Sequence, residues 1–101
     1  MENDFYKTKT TISNTKFEGL TIQKLWKQEN TEILFITLEK GSDFPKHDSP
    51  KNAFLQMIEG KIIFKINNQE FTIKAQENFQ FPAQERHSVS AIQNSKFLII
   101  R

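Results

Sequence analysis

The chain has 101 residues, room for one compact domain and not for two. It contains no cysteine, which excludes a disulfide framework and any thiolate metal site, and its formal net charge of +2 is spread along the chain rather than gathered into a basic stripe. No apolar run approaches a membrane span, so the expectation is a soluble, cytoplasmic protein that engages neither nucleic acid nor membrane.

Residues 1–16, MENDFYKTKTTISNTK, are polar and threonine-rich and read as an N-terminal arm ahead of a barrel domain over 17–101. The arm is expected either to fray or to add an edge strand through the β-favouring Thr10, Thr11 and Ile12. Beyond it helical periodicity is hard to find. Short apolar or alternating runs recur between turn signals, which predicts an all-β sandwich or barrel. Strands are expected at 20–27, 32–38, 53–58, 61–66, 69–74, 79–81, 87–92 and 96–100. Turn signals fall at Glu29-Asn30, Gly41, Glu59-Gly60, Asn67-Asn68 and Asn94-Ser95, and every glycine and proline lies outside the interiors of those strands.

One hairpin can be written out residue by residue. A two-residue turn at Asn67-Asn68 sets Ile66 opposite Gln69, Lys65 opposite Glu70, Phe64 opposite Phe71 and Ile62 opposite Ile73. One face is then apolar and the other carries an opposite-charge pair, and a slip of one residue would separate the two phenylalanines. Asparagine tolerates the positive φ that such a turn requires. The closing run FLII is apolar without alternation, so both of its faces should be covered, by a second sheet or another subunit. A domain this small buries a modest share of its surface, and the expected assembly is a homodimer.

From about Glu32 to Arg101 the chain resembles the cupins, small β-barrels built from two short motifs around a hairpin. In the first motif Gly41, the five residues SDFPK, His47 and Gly60 fall in register, while Ser49 stands at the second histidine position and Ala53 at the glutamate position. In the second, FPAQERHSVSA supplies Pro82 and His87, while Gln76 and Gln84 replace glycines. The resemblance implies a double-stranded β-helix, or jelly-roll, barrel with a cage of three histidines and one carboxylate in its mouth. Carried over position by position, only His47 and His87 remain as metal ligands. Serine is a poor donor for such ions and alanine supplies nothing, so the expected cofactor is none, or a weakly bound divalent transition metal. Strand alternation turns Asp48 to the face opposite His47, while Glu85 shares the parity of His87.

Ala53, Leu55 and Met57 share one strand face and should point inward beside the histidines, where a small and a flexible side chain would enlarge an apolar cavity. The expected function is therefore a small-molecule-binding barrel, with His47, Ser49, Ala53, Leu55, Met57 and His87 around the ligand. Its rival is a metal-dependent enzyme of dioxygenase, isomerase or epimerase type working from the two-histidine site. The glutamines at glycine positions imply altered loops, or left-handed backbone at a cost of about 1–2 kcal/mol each.

Overall fold

Alternating side chains become antiparallel ladders in the computed structural model, which describes residues 5–101. The strands are β1 (Leu20–Gln28), β2 (Thr31–Leu38), β3 (Asp43–His47), β4 (Ala53–Glu59), β5 (Lys61–Ile66), β6 (Gln69–Lys74), β7 (Asn78–Phe81), β8 (His87–Ala91) and β9 (Ser95–Ile100), preceded by a single helical turn, α1 (Thr11–Asn14). They form a five-stranded sheet in the order β1-β2-β9-β4-β7 and a four-stranded sheet in the order β3-β8-β5-β6. The inward residues of both sheets meet in one core. Ile36, Leu38, Leu55, Met57, Phe97 and Ile99 come from the first sheet, and Ile62, Phe64, Ile73, Val89 and Ala91 from the second.

The β5–β6 hairpin has the expected register throughout, with Ile66 facing Gln69, Lys65 facing Glu70, Phe64 facing Phe71 and Ile62 facing Ile73. Asn67 and Asn68 adopt φ values of 54° and 59°, the doubly left-handed turn that suits the twist of the flanking strands. Lys65 and Glu70 stand 3.9 Å apart on the exposed face, where such a pair adds little. Gln76 and Gln84 are indeed left-handed, at φ 70° and 66°. Their backbone N–H groups donate to Met57 O at 3.2 Å and to Ser49 O at 2.8 Å, bonds that hold the loops against the strain.

Two expectations are overturned. Residues 43–47, which fall in none of the expected strands, form β3, and Pro45 lies inside it. Proline is admissible there because β3 is an edge strand and its ladder with β8 is irregular between Phe44 and His47. The second concerns the arm, of which residues 1–4 lie outside the described residues. Thr10, Thr11 and Ile12 do not pair as a strand, because threonine and asparagine side chains close a helical turn instead. Ser13 Oγ donates to Thr10 O at 3.1 Å, Asn14 Nδ2 to Thr10 Oγ1 at 2.7 Å and Thr15 Oγ1 to Thr11 O at 2.6 Å.

That part of the arm makes side-chain contacts with the sheet. It lies over the outer face of the five-stranded sheet, where Phe35 and Thr37 are fully buried. Lys96, only 5% exposed on that face, donates from Nζ to Ile12 O at 2.6 Å, lies 5.2 Å from the Phe17 ring centroid and meets Glu59 at 3.6 Å. Gln23 Nε2 adds a bond to Thr15 Oγ1 at 3.0 Å. Among the described residues no helix is long and apolar enough to cross a membrane.

Candidate functional site

His47 and His87 are far apart in sequence yet directly opposite one another in the β3–β8 ladder. Parity alone would not bring them together. Phe44 pairs with Val89 and faces inward, so three residues later an unbroken strand would turn His47 outward. Between these pairs β3 has two residues, Pro45 and Lys46, against the single Ser88 of β8. This bulge returns His47 to the inner face, a re-aiming that bulges commonly perform. The His47 ring then stacks on Phe44 with centroids 4.1 Å apart and meets His87 edge-on at 4.2 Å. His87 packs against Phe81 at 4.6 Å and Phe64 at 5.2 Å, and is 3% exposed.

Both rings are fixed in the same tautomer. His47 Nδ1 lies 2.7 Å from Pro45 O and His87 Nδ1 3.0 Å from Glu85 O. A carbonyl can only accept, so Nδ1 carries the proton in each ring and Nε2 keeps its lone pair. Among the described residues neither Nε2 has a protein partner, and neither is sealed away from solvent. Burial pushes the His87 pKa down, assisted by the nearby His47 and Arg101 charges and opposed by the Glu85 carbonyl and the Asp48 carboxylate.

The two imidazoles open on a cavity of about 230 Å³ between the sheets. Its wall is chiefly apolar, with Ile36, Phe64, Phe81, Val89, Phe97 and Ile99 prominent, and its polar members are His47, Asp48, Ser49, His87 and Arg101. Asp48 was expected to turn away, but β3 ends at His47 and alternation lapses there. Glu85 contributes its backbone carbonyl and not its carboxylate. Ser49, at the second histidine position, is 2% exposed, donates to Lys51 O at 2.8 Å and accepts from Arg101 Nη1 at 3.2 Å. Ala53, Leu55 and Met57 are buried in the core and are not among the cavity's lining residues; the register partners of the first two, Phe81 and Ile99, form the wall at that level.

Arg101 is the site residue that motif reasoning passes over. A plainer signal was available, since Phe97, Ile99 and Arg101 occupy successive inward positions and all three line the cavity. Its Nε donates to Glu32 Oε1 at 2.9 Å, and the guanidinium holds the Glu32 carboxyl below its usual pKa. Among the described residues no group of three or more histidine, cysteine, aspartate or glutamate side chains is placed to share a metal ion. Two imidazoles, a committed hydroxyl and a guanidinium do not fit the four-ligand cage that the fold suggests.

The chain belongs to the cupin domain family, whose sequence model matches residues 34–100. No curated protein sequence matches it. Among solved structures it is similar to a conserved protein of unknown function from Streptococcus pyogenes, at TM-score 0.82 and 19% identity over 99% of this chain and 88% of that one. An RmlC-like cupin from Desulfovibrio desulfuricans aligns at TM-score 0.82 and 18% identity over 93% of each chain. KdgF from a Halomonas species aligns at TM-score 0.73 and 11% identity, over 81% of this chain and 76% of that one. At these identities the likeness concerns the fold alone.

Proposed function

We propose that this cupin barrel is a small-molecule-binding protein that works without a complete metal site, with His47, Ser49 and His87 among its ligand contacts. The observation that carries the reading is the cavity itself. It is largely apolar and holds two imidazoles whose Nε2 atoms are unpartnered and reachable. An apolar space with a few convergent polar groups is the usual form of a ligand pocket. We place the protein in the cytoplasm as a homodimer. The second copy would cover the part of the outer face of the five-stranded sheet beside the arm, where Phe54 and Ile100 form a half-buried cross-strand pair next to Leu98.

A second reading draws on the shared tautomer of the histidines, since a backbone bond from Nδ1 is also how a protein readies Nε2 for a metal. It would make the chain a metal-dependent enzyme of dioxygenase, isomerase or epimerase type. Elemental analysis separates the two. Untagged protein from cells supplied with Mn, Fe, Co, Ni, Cu and Zn is expected to carry far less than one metal per chain. Near-stoichiometric metal that disappears in His47→Ala and His87→Ala would sink the metal-free reading and justify a screen for enzyme activity.

A further inference from the structure

The fixed cation of this cavity is a side chain. Of the five N–H groups of a guanidinium, Arg101 spends one on Glu32 and one on Ser49. Among the described residues its Nη2 has no protein partner, and that nitrogen is not sealed from solvent. Glu32 is shared with Lys24, whose Nζ lies 3.4 Å from Oε2, so it does not belong to Arg101 alone. The opposing charge at the cavity is Asp48, which sits exposed in the loop after β3, where water screens it. The imidazoles complement this arrangement, offering acceptor lone pairs where the arginine offers donors.

We propose that the ligand is a compact hydroxy-carboxylate, its carboxylate bound by Arg101 and its hydroxyl donating to an imidazole Nε2 of the His47–His87 pair. This rests on the small-molecule reading above and names the ligand class. A planar guanidinium matches a carboxylate in shape as well as charge, and an apolar wall strengthens the bond by excluding water. The same cation opposes entry of a metal ion. Size follows from the volume. About 230 Å³ is on the order of eight water volumes and falls below the range of drug-sized pockets, which suits a ligand of roughly ten non-hydrogen atoms.

Matched probe pairs test this on the unmodified protein, with backbone amide NMR shifts of Val89 and Ile99 reporting on the cavity. Lactate is compared with lactamide and mandelate with mandelamide, and phenylacetate serves as the carboxylate without a hydroxyl. At least one carboxylate is expected to bind on the order of tenfold or more tightly than its amide. That advantage should vanish in Arg101→Met and survive in part in Arg101→Lys, and phenylacetate should bind more weakly than mandelate. If amides bind as well as or better than carboxylates, or the advantage persists in Arg101→Met, the carboxylate inference falls and the small-molecule reading stands. If no probe of either kind moves the cavity signals at millimolar concentration, both fall. The charge comparison needs no variant, so a poorly folded Arg101→Met would not blunt it.

Discussion

His87 is nearly buried and has its proton on Nδ1, and burial lowers its affinity for a second one. The unfolded chain therefore binds more protons than the folded one just below the ordinary histidine value, and stability rises with pH across that interval. The melting temperature is expected to fall as pH drops from about 6.5 towards the depressed folded value, and His87→Phe should remove much of that slope. The groups facing His87 are the Glu85 carbonyl, His47, Asp48 and Arg101, so the same titration in Arg101→Met should show a smaller depression. Glu32 acts in the same direction at lower pH. Its carboxyl is held low by Arg101, and the stability it supplies is lost only as pH falls through the carboxylate range, which separates the two acid steps. Gln84 offers a third measurement at this scale. Its φ of 66° suits glycine, so Gln84→Gly should raise stability by about 0.5–1 kcal/mol in urea unfolding, strain relief outweighing the added freedom of the unfolded chain. The strain at Gln76 and Gln84 was legible in the sequence because two glycine positions held other residues. Arg101 was legible only to alternation, because no motif points to it.

The turn joining β4 to β5 is held by a close approach. Gly60 has φ 90°, and a Cβ there would lie 2.3 Å from Asn94 O and 2.7 Å from Ser95 Cα, both backbone atoms. The fully buried Ser95 hydroxyl accepts from Lys61 N at 3.1 Å and donates to Gln93 O at 2.7 Å, tying this turn to the start of β9. Gly60→Ala is expected to cost about 2–5 kcal/mol, read as a lower urea midpoint. At the level of elements, strands with regular alternation could be read from sequence, and the β5–β6 hairpin could be read down to its pairs. β3 could not. It is short, contains a proline, and its bulge breaks the parity that would identify it. The helical turn of the arm escaped because three local side-chain bonds, none visible in a propensity scale, outweighed the β preference of its threonines.

For the whole molecule, the two motifs and the hairpin between them sufficed to give the barrel, since they fix which strands must lie beside which. They gave the histidine pair as well. They did not give the wall of the cavity, because its residues come from strands β1, β2, β3, β5, β7, β8 and β9, whose side chains converge only when the sheets face each other. The proposed dimer is tested at this scale. If a second copy covers Phe54, Leu98 and Ile100, sedimentation should show a dimer that becomes a folded monomer in Leu98→Glu.

The strand order carries one more consequence, for the time course of folding. β9 lies between β2 and β4, so the β1–β2 and β4–β7 pairs share no ladder until residues 95–100 arrive between them. Each of those pairs can zip independently, and β5–β6 closes over only two residues. Insertion of β9 joins partners remote in sequence, which places this barrel among the slow folders, with refolding over milliseconds to seconds. Weakening β9 at Phe97 should then retard refolding, whereas loosening the latch at Lys96 and Ile12 should chiefly hasten unfolding.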